Sequence, residues 1–167
     1  MKKSELTQER LQELLDYDPE TGEFRWRVRK KRGHSVGDIA GCRTRSDSWS
    51  IRIDGRSYQA HQLAWLYMEG EWGEPVIDHR DGNPLNNRFS NLRLSTYSDN
   101  AANRGRMRSN TSGFKGAVFD PRTDKWRAQI SKDGRRYCLG RYATAEEAHE
   151  AYAAKARELF GEFARTK

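Results

Sequence analysis

Apolar and charged positions alternate in "EFRWRVR", residues 23–29, where Phe24, Trp26 and Val28 fall on one side and predict a strand. The same two-residue period returns at Trp49, Ile51 and Ile53. Asp54-Gly55 then supplies a two-residue turn and the chain comes back through Tyr58, so "SWSIRIDGRSYQA" predicts a hairpin. Between these segments "KKRGHSVGDIAG" reads as an exposed basic loop. Ahead of them, Thr7 can cap a short helix with Leu11, Leu14 and Leu15 on one side, and "DYDPETGEF" reads as a turn broken by Pro19 and Gly22. "HQLAWLYMEG" predicts a helix that stops at Gly70. A strand, an asparagine-rich loop and a second strand are expected across 76–96, followed by a polar helix from about Tyr97 to Asn103.

The pattern then restarts. "RGRMRSNTSG" has linker composition. "FKGAVFD", "KWRAQIS" and "RRYCLGRY" predict three short strands, with Asp133-Gly134 as a tight turn between the second and third. In the last segment Thr144 and Glu147 form a capping box and Gly161 is a stop signal. Ala145, Ala148, Tyr152, Ala156 and Leu159 share one face of that helix. The small alanines would let it lie close on a three-stranded sheet.

With 167 residues the chain suits one ordinary domain or two small ones. Its 35% apolar content allows only a modest core, yet five Trp, seven Tyr and six Phe argue against disorder. No apolar run suits a membrane span or a signal peptide, which points to a cytosolic protein. Cys42 and Cys138 stand far apart, so neither a disulfide framework nor a structural zinc site is expected. The net charge of +7 is unevenly placed. Residues 1–100 hold 16 basic and 16 acidic side chains, residues 101–112 three arginines and no acid, and residues 113–167 12 basic against 8 acidic. An excess confined to the second part points to a phosphate-bearing partner.

The chemistry concentrates in "VIDHRDGNPLNNRFSNLRLST", residues 76–96. Asparagine competes for nearby backbone groups, so a looped hairpin accounts for most of these residues. It does not account for Asp78 and His79. A carboxylate suits Mg²⁺, and an imidazole can accept a proton near neutral pH. Neighbours on a regular strand point to opposite faces, so both serve one site only where the strand bends or ends. Asn100 could offer an amide oxygen to the same cation.

"AHQLAWLYMEG…VIDHRDGNPLNNRFSNLRLSTYSDNAANR" resembles the HNH endonucleases of phages and mobile introns, over roughly residues 20–104. That resemblance implies a ββα-metal core around one divalent cation, Mg²⁺ first and Mn²⁺ second. It implies His79 as general base, Asn91 as the asparagine that orders the loop and helps hold the histidine, and Asp78 and Asn100 as metal ligands. The last position of the motif is Asn100 and not histidine, which disfavours a tight zinc site. His61 is read as structural or as a phosphate contact. Asp81 and Asn83 are read as turn-shaping, and Asn103 as beyond the metal.

Residues 113–164 resemble the AP2/ERF DNA-binding domain through "SGFKGAVFD", "KWRAQI", "YCLGRYATAEEAHEAYAAKARELFG" and "EFAR". The resemblance implies a three-stranded antiparallel sheet laid in a major groove and backed by one helix. Alternation puts Trp126, Ala128 and Ile130 inward and Arg127, Gln129 and Ser131 outward. Tyr137 and Leu139 turn inward and Arg136 outward. The expected DNA contacts are Lys115, Arg127, Gln129, Ser131 and Arg136, joined by Arg104, Arg106 and Arg108 along one edge of the linker. Val118 and Asp120 replace arginines that plant members use to read bases, so no sequence preference carries over.

The expectation is an α+β protein with an HNH domain over 1–104 (ββα core about 58–104), a basic linker over 105–112 and an AP2/ERF-like domain over 113–167. Its expected function is metal-dependent, site-preferring cleavage of double-stranded DNA, nicking rather than cutting both strands, in a homing or free-standing phage setting. No obligate protein partner is expected, and the expected state is a monomer. The alternatives are a non-catalytic DNA-binding regulator and an RNA-binding accessory protein.

Overall fold

Thr7 opens the first helix, α1 (Gln8–Leu14), by accepting the Arg10 N–H on its hydroxyl. The chain passes at once into β1 (Leu15–Asp18), which pairs antiparallel with β2 (Glu23–Trp26), Leu15 opposite Trp26. β1 overlaps the start of the segment expected to be a turn and takes in Leu15, which the sequence places on the helix. Leu15 and Tyr17 bury while Asp16 and Asp18 face solvent, but two apolar positions make too short a period to stand out beside Pro19 and Gly22. The described part of the loop that follows is exposed at residues 33, 35–39 and 41, as expected, and is anchored at two points. Ala40 is fully buried and donates its N–H to the Phe24 carbonyl at 2.7 Å, and the His34 ring stacks on Trp26 at 3.7 Å. The computed structural model describes residues 6–29, 33–73, 75–105 and 110–166.

β3 (Cys42–Arg43), β4 (Trp49–Ile53) and β5 (Arg56–Gln59) form a three-stranded sheet in that order. Asp54 and Gly55 both take positive φ, 46° and 84°, as the predicted hairpin turn requires. α2 (Ala60–Glu69) follows and stops at Gly70 in the left-handed conformation. Leu11, Leu15, Phe24, Ile51, Ile53 and Leu63 are fully buried in one core. Each contributes roughly 1.5–3 kcal/mol of burial, which makes this cluster the support on which the rest is mounted. β6 (Val76–His79) and β7 (Leu92–Ser95) make a two-stranded sheet joined by the asparagine-rich loop.

The chain divides into two compact units, residues 1–94 and 95–167. α3 (Tyr97–Asn103) therefore groups with the second unit, whereas the sequence places the boundary after residue 104. The reason is its packing: Ala102 shares a core with Ile130, Tyr152, Ala156 and Phe160. β8 (Ala117–Asp120), β9 (Lys125–Lys132) and β10 (Arg135–Tyr142) form an antiparallel sheet in the order β10-β9-β8. α4 (Ala145–Phe160) packs on it and opens with the expected capping box. Ala117, Ala128, Ala145 and Ala148 are the contact layer, so helix and sheet approach closely. Gly116 is required by that approach, since a Cβ there would lie 2.1 Å from the Tyr152 ring.

Leu139 forms a bulge: Cys138 faces Gln129 and Gly140 faces Ala128. The bulge returns Arg141 to the face of Arg127, which strict alternation of the sequence does not foresee. Arg106 and Arg108 lie outside the described residues. From Asn110 the chain is tightly turned and not a loose tether. Asn110 Nδ2 donates to the Phe114 carbonyl at 2.9 Å, and the Gly113 N–H donates to Asn110 Oδ1 at 2.9 Å. No described helix is long and apolar enough to cross a membrane.

Candidate active site

β6 ends on Asp78 and His79, which are only 4% and 8% exposed. Strand alternation sends them to different partners. Arg93 on β7, itself 6% exposed, donates Nε at 3.0 Å and Nη2 at 2.8 Å to Oδ2 of Asp78. His79 meets the loop instead, its Nε2 standing 3.2 Å from Oδ1 of the buried Asn87. The strand stops here because the Gly82 N–H donates to the His79 carbonyl at 2.8 Å and starts the turn at once. The two residues thus sit at a strand end, the condition under which neighbours can serve one site.

The orientation of Asn87 assigns the histidine tautomer. Its Nδ2 donates to the Leu85 carbonyl at 3.3 Å, so its oxygen faces the ring. An acceptor at that place requires N–H on Nε2, which leaves the imidazole lone pair on Nδ1.

Asn91 holds the loop together. Its Oδ1 accepts the Asp81 N–H at 3.1 Å, and its Nδ2 donates to Asp81 Oδ1 at 3.0 Å and to the Asn86 carbonyl at 2.8 Å. Asp81 also accepts from the Asn83 N–H at 2.8 Å and from Asn86 Nδ2 at 2.7 Å. Partial burial works against the Asp81 carboxylate, but these hydrogen bonds outweigh it and hold its pKa below the ordinary value. The amide seen against the His79 ring is Asn87, to which the sequence assigns no role. Nothing local distinguishes it from Asn86, which turns to Asp81. Arg93 was likewise unassigned, although a basic residue two past Asn91 on a short strand is a candidate partner for an acid on the facing strand. Asn100 lies on α3 in the second unit and is half-buried, as its neighbour Asn103 is fully.

His61, in the first turn of α2, meets His79 edge to face with 5.0 Å between ring centroids. Burial first, and the His79 charge second, push its pKa from 6.5 down to about 4. As pH falls through 6.5 the unfolded chain takes up a proton at this position, while the folded chain stays neutral there until about 4. The stability from this group is therefore complete above the higher value and lost toward the lower. The expected loss across that window is on the order of 2 kcal/mol. Urea melts through the window check this, and His61→Phe should remove that part of the slope. Equal acid sensitivity in the variant would place the protonation elsewhere.

In the second unit, register puts Val118, Arg127 and Arg141 side by side on the sheet face away from α4, with Gln129, Ser131 and Arg136 further along. Arg141 Nε stands 3.5 Å from Asp120 Oδ2. Arg127 and Gln129 are half-buried, and among the described residues Arg127 Nε and Gln129 Oε1 are shielded without a hydrogen-bond partner. Lys115 departs from the expected phosphate contact. Its Nζ donates to the carbonyls of Ala102 and Arg104, both at 2.6 Å, and of Arg165 at 2.8 Å, which occupies all three of its N–H groups. Its ammonium is a staple inside the second unit. Arg104 is exposed at the end of α3.

Residues 58–102 match the family model described as HNH endonuclease. Protein 3.8 of Escherichia phage T7 is 38% identical over 89 residues, covering 53% of this chain and 73% of that protein. An uncharacterized HNH endonuclease of Acanthamoeba polyphaga mimivirus is 34% identical over 118 residues, covering 70% of this chain; the chain spans 60% of that relative's length. Among solved structures, the one titled "DNA binding and cleavage by the HNH homing endonuclease I-HmuI" is similar at 23% identity, with a TM-score of 0.43, over 82% of this chain and 76% of that one. The matched segment runs from the hairpin strand before α2 to the end of α3 and contains Asp78, His79, Asn91 and Asn100, so residues 58–102 are an HNH endonuclease segment within a chain related to Protein 3.8.

Proposed function

We propose that the protein is a metal-dependent, site-preferring DNA endonuclease that nicks one strand, with residues 1–104 carrying the chemistry and residues 113–167 positioning it. The observation that carries this reading is the buried Asp78–His79 pair at a strand end, with His79 Nε2 3.2 Å from Oδ1 of the buried Asn87. Asp78 is the residue of the first unit that would hold one divalent cation, and Asn100 is the further ligand that the HNH resemblance implies. A carboxylate and an amide oxygen are hard donors that suit Mg²⁺ or Mn²⁺, so the residues present fit the group. When bound, such a cation supplies Lewis-acid stabilisation of charge on the phosphate and on the leaving 3′ oxygen.

The chain's own residues do the rest. His79 Nδ1 takes a proton from the attacking water, and Asn87 keeps the ring in register for that transfer. Arg93 offsets the charge of Asp78, which makes it tolerable to bury the carboxylate before a cation arrives. Asn91 and Asp81 hold the loop that joins β6 to β7. The outward sheet face of the second unit, with Arg127, Arg136 and Arg141, suits a phosphate backbone and base edges in a major groove, as the AP2/ERF resemblance implies. Arg104, with Arg106 and Arg108 beyond the described residues, would extend that contact along the linker.

The test is supercoiled plasmid incubated with the full chain and Mg²⁺, Mn²⁺ or Zn²⁺. Conversion to nicked circles that stops on chelation is expected. Binding without conversion in any of the three would identify a non-catalytic DNA-binding regulator. Replacing Arg127 and Arg136 together by Ala should weaken binding and lower the slope of log K against log salt by up to about two phosphate contacts. An unchanged slope would remove the sheet from the interface.

A further inference from the structure

The family match starts at residue 58, and no residue given a part in the reaction so far precedes it except the supporting core. The β1–β2 hairpin nevertheless closes on the loop that carries Asn87. The Tyr17 hydroxyl donates to the Asn87 backbone carbonyl at 2.7 Å in a buried contact. The Phe89 N–H donates to the Pro19 carbonyl at 3.1 Å. Gly22, at φ 77°, lies so near that a Cβ would fall 2.5 Å from both the Arg88 nitrogen and the Asn87 carbonyl carbon.

Asn87 is thereby held twice, by its backbone through Tyr17 and by its side chain through the Leu85 carbonyl. Tyr17 is itself fixed. It is 7% exposed, stacks on Phe24 at 4.6 Å and meets Tyr67 edge-on at 5.7 Å. Burial first, and the Asp18 charge second, raise its phenol well above the ordinary range, so its hydroxyl remains a donor at any working pH. A neutral imidazole has two tautomers, and only one presents its lone pair on the nitrogen away from Asn87.

We infer that Tyr17 and Asn87 are positioning residues for His79: the hairpin fixes Asn87, and Asn87 fixes the proton on Nε2 of the ring. The kinetic consequence rests on the endonuclease reading, but the tautomer does not. Partners that orient a working histidine typically carry tenfold or more of its activity, and a side chain locked by packing is what makes such a partner effective.

The test uses the full chain with ¹⁵N-labelled histidine and long-range ¹H–¹⁵N correlation near neutral pH. His79 is identified by the signals lost in His79→Gln. The wild type is expected to carry its proton on Nε2. Tyr17→Phe keeps the stacked ring and removes one oxygen, and Asn87→Leu keeps volume and removes the acceptor; both should give mixed tautomers. Nicking kcat should fall about tenfold in Tyr17→Phe and further in Asn87→Leu, with KM for plasmid unchanged. Asn87→Asp retains an acceptor and should recover the Nε2–H signature. A wild-type ring protonated on Nδ1 would overturn the inference whatever the variants do. So would an unaltered tautomer and kcat in both Tyr17→Phe and Asn87→Leu, which would leave the nuclease reading standing. A wild type that carries its proton on Nε2 but never nicks would sink the nuclease reading and support the inference.

Discussion

His79→Ala is expected to remove nicking and leave DNA affinity within about twofold of wild type. A positioned general base contributes roughly 10²–10⁴ to rate, and its loss falls on chemistry and not on docking. The side chain is 8% exposed and meets Asn87 and the ring of His61, so its removal also leaves a small cavity beside two polar groups. A stability loss of about 1–2 kcal/mol should accompany it, too little to unfold the unit. The measurement is single-turnover nicking at saturating enzyme beside equilibrium binding to the same DNA. Cleavage by the variant at the wild-type rate would remove His79 from the reaction. A parallel loss of binding and cleavage would make it a docking residue instead.

Asp78→Ala should act on both stability and metal dependence. Asp78 and Arg93 form a buried ion pair, 4% and 6% exposed at the side chain, with two guanidinium donors on one carboxylate oxygen. Removing one partner leaves the other charged and desolvated, which typically costs about 3–5 kcal/mol. Denaturant melts should show that loss. Asp78→Leu combined with Arg93→Met replaces the pair by apolar side chains of similar size and should recover most of it. Activity should not return in the double variant, because the carboxylate that would hold the cation is still missing. Calorimetric titration of Mg²⁺ or Mn²⁺ with DNA present separates the two effects. A double variant that is stable and still nicks with the wild-type metal dependence would show that Asp78 serves only Arg93.

Much of the local structure is legible in the sequence alone. Thr7, Gly70, the Thr144–Glu147 box and the Asp54-Gly55 turn each act within a few residues of themselves, and each stands where the sequence puts it. The inward row of β9 was legible for the same reason, since alternation is a local property. β1 was not, because its two buried positions look like any turn until β2 lies beside them. The bulge at Leu139 was hidden as well. Only pairing with β9 reveals that one residue is extra and that Arg141 joins the Arg127 face.

The site divides in the same way. The sequence by itself determined which residue types are present and in what order: an acid and a histidine at a strand end, a turn at Gly82, and amides able to tie a loop. These follow from spacing and backbone preference, which are carried by neighbouring residues. Tertiary structure alone decided which group each of them meets. Arg93 reaches Asp78 across 15 positions, Asn87 and not Asn86 turns to His79, and Tyr17 reaches Asn87 across 70. Lys115 gives its three donors to carbonyls of its own unit. Such choices depend on where a buried polar atom can find a partner once the apolar core has closed. That competition is settled in three dimensions, and no local pattern along the chain records its outcome.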